Sequence, residues 1–367
     1  MAEFTDIEIM AEALRLAETG LGRVAPNPSV GCIILKNGEV IAAARTADGG
    51  RPHAEQIVLE QVGEDAKDST VYVTLEPCCH HGRTLPCTDH LIAAQVKKVV
   101  IACIDEDKRV SGQGIKALKD AGIEVVTGVL EKEAQAINEG FFKRVKNYRP
   151  MVTLKMATSL DSKIAMANGE SQWITGDEAR GHVHQLRAKH DAILTGVNTV
   201  LADNPLLTTR LEGVEHPALR VILDTQLRFP LKSRMAGTLP EGDVWIFTAP
   251  NCDKDKKAAL EEEGLHVFEI DLSTNGKVSI PFVLEFLAEK GVTRLLVEAG
   301  KGVFTSFLKL KVWDYLHLYR APIIIGQTGM DAFGDLELQG LGNAPKLELL
   351  SREEIGRDSL EIYKRLA

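Results

Sequence analysis

The sequence predicts an α/β protein of two domains, and three observations carry that prediction. The chain has 367 residues, more than a single hydrophobic core usually holds. Short runs rich in β-branched residues alternate with amphipathic stretches at helical spacing through both halves. One helical stretch, residues 131–147, is broken by Tyr148-Arg149-Pro150, and a period-two run follows at once. The boundary is therefore drawn near Tyr148, giving domains at residues 1–148 and 149–367.

In the first half, Ile9, Met10, Ala13, Leu14 and Ala17 recur at helical spacing, and Gly20 and Gly22 end that helix. Pro26-Asn27-Pro28-Ser29 follows as a rigid turn. Residues 30–35 and 40–44 flank Asn37-Gly38, a strong hairpin signal. Residues 53–62 read as a helix with His53 and Glu55 in its first turn. Residues 70–75 read as a strand that delivers Pro77-Cys78 to the start of another helix, where the positive helix end favours a thiolate. Strands at 97–105 and 123–128 complete an α/β/α sandwich of about five strands.

In the second half, strands are expected at residues 151–157, 191–196, 219–224, 244–248, 266–270 and 293–300, mostly separated by helical stretches. The tail from Trp313 to Leu366 reads as a closing antiparallel ribbon, so a mixed sheet with helices on both faces is predicted. Glu298 to Phe304 is a strand end, a small-residue loop and a helix start, whose backbone amides could hold a dinucleotide phosphate. The three-glycine fingerprint is incomplete there, and a generic strand-to-helix turn accounts for the same residues.

Composition narrows the function. A net charge of −9 argues against a nucleic-acid surface, which is usually basic. No run approaches the ~18 apolar residues that cross a bilayer, and the acidic N-terminus lacks a signal-peptide pattern. A cytoplasmic protein with no membrane partner is expected. Six cysteines do not make a disulfide scaffold at this length. Three of them flank His80 and His81, which in a reducing compartment points to metal.

The chemistry concentrates between His53 and Cys87. His53-Ala54-Glu55 and the run from Glu76 to Cys87 (EPCCHHGRTLPC) offer one imidazole, several thiols and a nearby carboxylate. Zinc held by one histidine and two cysteines keeps a position for water and makes that water acidic near neutral pH. The pattern resembles the H-x-E and P-C-x-x-C of zinc deaminases, in which the glutamate moves protons. Here Cys79 is adjacent to Cys78, and His81 occupies the usual place of the second cysteine. Adjacent cysteines point apart, so His53, Cys78 and Cys87 are assigned as the ligands and Glu55 as the catalytic acid–base. Cys79, His80 and His81 are left as surrounding or substrate-contacting groups. A purely structural zinc with His80 or His81 as fourth ligand is the alternative. Arg83 is the candidate for a substrate phosphate, against the plainer reading of an exposed loop arginine. Asp105 and the loop before Ser111 are expected at the same mouth.

These motifs, with Pro26 to Gly31 (PNPSVG) and Lys155 to Gly176 (KMATSLDSKIAMANGESQWITG), closely resemble the bifunctional riboflavin-biosynthesis deaminase/reductase family over nearly the whole chain. The resemblance implies a cytidine-deaminase-like first domain and a dihydrofolate-reductase-like second domain that uses NADPH. It implies zinc-hydroxide deamination of 2,5-diamino-6-(5-phosphoribosylamino)pyrimidin-4-one, then reduction of the ribosyl group to ribityl. Asn27, otherwise a turn residue, is then set against the pyrimidine. Carried over residue by residue, Ala157, Trp173, Thr199, Asp203, Thr225, Gly300, Lys301, Gly302, Val303, Phe304, Thr305 and Ser306 fall on the NADPH side. Lys155, Ser171, Arg187, Leu207, Arg210 and Glu298 fall on the substrate side, with Lys155 near the sugar. Trp173 could equally be packing, Asp203 a turn cap, and Asp161 a residue that only shapes its loop. The expected partner is a small phosphoribosylaminopyrimidine, with no nucleic acid, and the protein is expected as a homo-oligomer. The alternatives are a nucleic-acid-editing zinc deaminase with an accessory nucleotide-binding domain, a non-catalytic zinc module, and a nucleotide-sensing second half.

Overall fold

A computed structural model describes residues 4–80, 85–211 and 216–366. Chain contacts divide it into two compact units, Met1–Arg149 and Pro150–Ala367. Helix α1 (Asp6–Glu18) opens the first unit on a capping box, in which the Thr5 hydroxyl accepts from the Glu8 N–H and the Glu8 carboxylate accepts from the Thr5 N–H at 2.8 Å. Strands β1 (Gly31–Lys36) and β2 (Glu39–Arg45) form the hairpin, turning at Asn37 and Gly38 with φ of 52° and 81°. Two positive φ values in succession are what a two-residue hairpin of the right twist demands.

The unit continues through α2 (Ala54–Val62), β3 (Thr70–Leu75), α3 (Cys87–Ala93), β4 (Lys98–Cys103), α4 (Gln113–Asp120), β5 (Glu124–Thr127) and α5 (Glu131–Asn147). Among the described residues the strands form a five-stranded sheet in the order β2-β1-β3-β4-β5. β1 is antiparallel to β2 and β3, while β3, β4 and β5 run parallel. Gly31 faces α1 so closely that an added Cβ would lie 1.9 Å from the Ala13 carbonyl oxygen. The next residue, Cys32, faces the other way and feels the charge of Glu55 on α2. Helices therefore cover both faces, as the α/β/α reading requires.

One local expectation needs correcting. Glu76 to His80 form no helix, and the helix that follows starts at Cys87 behind Pro86. The Glu76 N–H donates to the Cys103 carbonyl at 3.0 Å, which keeps the chain extended past β3. Pro77 and Pro86 disfavour helix in the residues before them.

In the second unit the elements are β6 (Met151–Thr158), β7 (Lys163–Ala165), α6 (Asp177–Ala188), β8 (Ala192–Gly196), α7 (Val197–Asp203), β9 (Leu219–Leu223), β10 (Val244–Thr248) and α8 (Lys254–Glu262). They continue as β11 (His266–Glu269), α9 (Ile280–Glu289), β12 (Arg294–Val297), α10 (Lys301–Leu310), β13 (Tyr315–Arg320), β14 (Met330–Asp331), β15 (Leu347–Ile355) and β16 (Asp358–Arg365). The described strands give a nine-stranded mixed sheet ordered β11-β10-β9-β8-β12-β6-β13-β16-β15, with β7 and β14 as a separate pair. Leu194, Val221 and Leu295 pack with α9 and α10, whereas their neighbours Ile193, Ile222 and Leu296 pack on the opposite face with α6, α7 and α8. The tail is not wholly antiparallel. β15 and β16 are, but β13 joins β6 in parallel after the α10 crossover. Among the described residues no helix is long and apolar enough to cross a membrane.

The Gly31 contact with α1 is testable. Gly31→Ala should lower stability by about 1–3 kcal/mol, because a methyl must enter closed backbone packing. Urea unfolding of the first unit's signal would report it, and an unchanged midpoint would contradict so close an approach.

Candidate active sites: a metal centre and a large cavity

His53 is the N-cap of α2, with extended backbone (φ −70°, ψ 157°) and no side-chain bond to its own helix. Its ring turns instead toward two sulfurs. Nδ1 lies 3.3 Å from Cys87 Sγ and 3.7 Å from Cys78 Sγ. One donor atom from each residue can be chosen so that all three lie within 4.8 Å of one another. Zinc bonds of about 2.3 Å to sulfur and about 2.0 Å to nitrogen, in a tetrahedron, separate nitrogen from sulfur by about 3.5 Å. The observed spacings bracket that figure, and the donor set fits zinc. Cys79 points away, its thiol donating to the Arg109 carbonyl at 3.7 Å.

Cys78 Sγ also accepts the Cys87 N–H at 3.4 Å, so one sulfur caps the helix that begins at the other. The Cys87 thiol holds the Cys78 sulfur down at about 4 against burial, with help from His53. The shared proton and burial push Cys87 well above the ordinary thiol range. His53 is raised by its bond to Cys78, with burial opposing. Glu55 is only 3% exposed, and burial raises its carboxyl while His53 partly offsets that.

Neighbouring carboxylates hold the surrounding loop. Glu76, buried just before Pro77, accepts from the N–H groups of Asp105 (3.3 Å), Gly112 (2.9 Å) and Ile115 (3.1 Å). It thereby caps α4 and ties the 105–112 loop to the cysteine motif. Sequence reasoning assigned it no role; only a glutamate directly before P-C hinted at one. Burial pushes Asp105 up to about 7. His80 Nδ1 is buried without a hydrogen-bond partner among the described residues. The Asn27 amide donates to the Gly50 carbonyl at 3.1 Å, bracing the segment that leads into His53. Arg83 and His81 lie outside the described residues.

The second unit contains a cavity of about 1290 Å³. Lys155, Ala157, Ser171, Trp173, Arg187, Thr199, Asp203, Leu207, Arg210, Thr225, Glu298, Gly300 to Phe304 and Ser306 all line it. A single small ligand usually fills about 300–1,000 Å³, so there is room for more than one. Thr305 does not line it; its hydroxyl donates to the Lys301 carbonyl at 2.7 Å and accepts from the Gly334 N–H at 2.8 Å. Gly196, ending β8, approaches α10 so closely that an added Cβ would be 2.9 Å from Val303 Cγ2. The starts of α7 and α10 are thus held side by side at the cavity.

Arg187 forms a two-pronged pair with Glu298 (2.6 and 3.0 Å) and donates to the Thr208 carbonyl at 2.9 Å. Lys155 Nζ is 3.7 Å from the same carboxylate. Burial pushes Glu298 up, but Arg187 and Lys155 outweigh it and hold it at about 2. Arg187 is thus largely taken up by Glu298, whereas Arg210 makes no ion pair among the described residues. Arg234, which sequence reasoning missed for want of any motif around it, joins Arg210 on the wall. Trp173 is 62% exposed with the Arg180 guanidinium 4.6 Å from its ring centroid. Asp161 accepts from the Ile325 and Gly326 N–H groups at 3.1 and 2.7 Å, shaping its loop.

Comparison with known proteins finds a family match in each unit. Residues 4–103 match the cytidine and deoxycytidylate deaminase zinc-binding region, and residues 150–360 match the RibD C-terminal domain. The chain is 41% identical to the riboflavin biosynthesis protein RibD of Actinobacillus pleuropneumoniae, over 98% of this chain and 95% of that protein. It is 40% identical to that of Aquifex aeolicus, over 98% of both. Among solved structures, Acinetobacter baumannii RibD superposes with a TM-score of 0.89 at 36% identity, covering 99% of each chain. A diaminohydroxyphosphoribosylaminopyrimidine deaminase/5-amino-6-(5-phosphoribosylamino)uracil reductase from Thermotoga maritima gives 0.86 at 36% identity, covering 98% of this chain and 99% of that one.

Two predictions follow from the metal centre. Zinc must displace the protons of Cys87 and His53, whose raised pKa values keep them protonated as pH falls. Apparent zinc affinity should therefore drop about tenfold per pH unit for each proton displaced, as read by metal titration from pH 8 to pH 6. An affinity flat over that range would rule out the thiol and imidazole donors. Glu76→Gln should lower the melting temperature of the first unit, since a neutral amide oxygen accepts more weakly than the carboxylate at three backbone N–H groups. No change on calorimetry would deny Glu76 its clamping role.

Proposed function

The chain belongs to the RibD family of riboflavin biosynthesis proteins, a bifunctional deaminase/reductase with zinc and NADPH as cofactors, and from that premise we propose how its residues divide the work. Residues 1–148 carry the deamination and residues 149–367 the reduction. The substrates are those in the name of the Thermotoga maritima relative: the diaminohydroxyphosphoribosylaminopyrimidine first, then 5-amino-6-(5-phosphoribosylamino)uracil.

The observation that carries the first step is the pairing of the His53, Cys78 and Cys87 donor cluster with a buried Glu55 on the same helix turn. Zinc, when bound there, supplies an acidified water and a Lewis acid. Glu55 takes the proton of the attacking water and returns protons to the ring nitrogen and the departing amine; its raised pKa suits a group that must both accept and release them. Asn27 and His80 read the pyrimidine, and Arg83 receives the phosphate.

For the second step the nicotinamide supplies the hydride to the sugar carbon. Gly300 to Ser306, at the start of α10, cradle the cofactor phosphates, with Ala157, Trp173, Thr199, Asp203 and Thr225 completing that side. Lys155 and Glu298 hold the sugar, Arg187 fixes Glu298, and Ser171, Leu207 and Arg210 complete the substrate side. The protein acts in the cytoplasm as a homo-oligomer. The exposed Leu347, Leu349 and Leu350 on edge strand β15 support self-association, because such an edge is rarely left open.

Glu55→Gln is the test. Ammonia release should fall by about 10²–10⁴-fold, while zinc content and NADPH oxidation on supplied deaminated substrate persist. Full deamination by the zinc-loaded variant would remove Glu55 from the mechanism.

A further inference from the structure

Lys155 is a buried cation whose nearest carboxylate is already engaged. Its side chain is 17% exposed, and Glu298, 3.7 Å away, spends both oxygens on Arg187. Burial pushes the lysine pKa down, with Glu298 opposing and Arg187 adding to the fall. The other titratable groups near this face are His182 and His184 on α6, His190 just after it, Arg294 on β12, His317 and Tyr319 on β13, and Glu353 on β15, whose charge reaches His182 and Tyr319. Glu298 compensates the ammonium only in part, because it is shared with Arg187, and a second contact would help hold it in place.

The register of β6 and β13 supplies it. The strands pair in parallel, with Lys155 opposite His317 and Ala157 opposite Tyr319. Lys155 and Tyr319 are therefore diagonal neighbours on one face. Lys155 Nζ sits over the Tyr319 ring, 5.7 Å from its centroid, within the range of a cation–π contact. Tyr319 is fully buried among Ala179, Val183 and Leu360 and does not line the cavity, so it touches no ligand. Its hydroxyl lies 2.7 Å from His182 Nδ1, which fixes the ring plane.

We propose that Tyr319 is a positioning residue for the reduction, its ring face seating the Lys155 ammonium at the cavity wall. The inference rests on the reading of Lys155 as a sugar-side contact. A desolvated cation–π contact stabilises the charged amine, so its removal makes deprotonation easier. Loss of activity as pH rises through the lysine pKa should then begin at lower pH.

The test compares pH profiles of NADPH oxidation on the deaminated substrate for the full chain, Tyr319→Leu, Tyr319→Phe and Lys155→Met. Tyr319→Leu should move the alkaline limb of kcat down by on the order of one pH unit, with KM for NADPH unchanged. Tyr319→Phe, which keeps the ring face, should keep its limb within about 0.3 unit of the parent. Lys155→Met should abolish reduction. An unmoved limb in Tyr319→Leu, with NADPH binding intact, overturns the seat, as does a limb that moves equally in Tyr319→Phe. Undiminished reduction by Lys155→Met instead overturns the reading of Lys155 and the proposal with it. Should Tyr319→Leu not fold, Tyr319→Met, similar in bulk and without a π face, answers the same question.

Discussion

A sulfur facing the first N–H of a helix is the contact on which the first unit turns. Cys78 Sγ accepts from the Cys87 backbone at 3.4 Å and the Cys78 carbonyl from the Thr88 N–H at 3.2 Å, which brings the two cysteines together. They place both sulfurs beside the imidazole that starts α2, so two helix beginnings and the end of a strand converge on one point. Positive helix ends favour thiolate over thiol. Glu55 shares the first turn of α2 with the imidazole, so the group that would shuttle protons comes into place with the ligand. Glu76 adds the outer brace by gathering backbone N–H groups from the 105–112 loop and the first turn of α4.

The second unit solves a related problem with opposite charges. A cavity for anionic ligands needs cations on its walls, and buried cations need compensation. Glu298 provides it for Arg187 and Lys155 together, while Arg210 and Arg234 also line the wall. The abutting starts of α7 and α10, made possible where Gly196 meets Val303, add backbone donors to the same space.

Much of this was legible in the sequence. Strands such as Val244–Thr248 and the helix Glu131–Asn147 fall where periodicity put them, because a buried face forces the period. The exclusion of Cys79 as a ligand followed from two adjacent side chains diverging, and its thiol does turn toward Arg109. The helix expected at Pro77-Cys78 failed because strand pairing carries past Leu75 to Glu76, a tertiary constraint that propensity does not see. The parallel placement of β13 was likewise hidden, since strand direction depends on the crossover and not on the strand's own residues. Lone side chains that act through distant backbone, such as Glu76 and Asn138, which bonds Ser29 across the unit, carry no local signal at all. The nucleic-acid-editing alternative loses its footing with the match to RibD proteins along 98% of the chain.

X-ray absorption at the zinc edge of the loaded protein tests the central arrangement most directly. Two light atoms at about 2.0 Å, the imidazole nitrogen and the water oxygen, and two sulfurs at about 2.3 Å, with the sulfur shell halved in Cys87→Ser and unchanged in Cys79→Ser, is the result the geometry requires. A sulfur shell that shrinks with Cys79 and ignores Cys87 would contradict it.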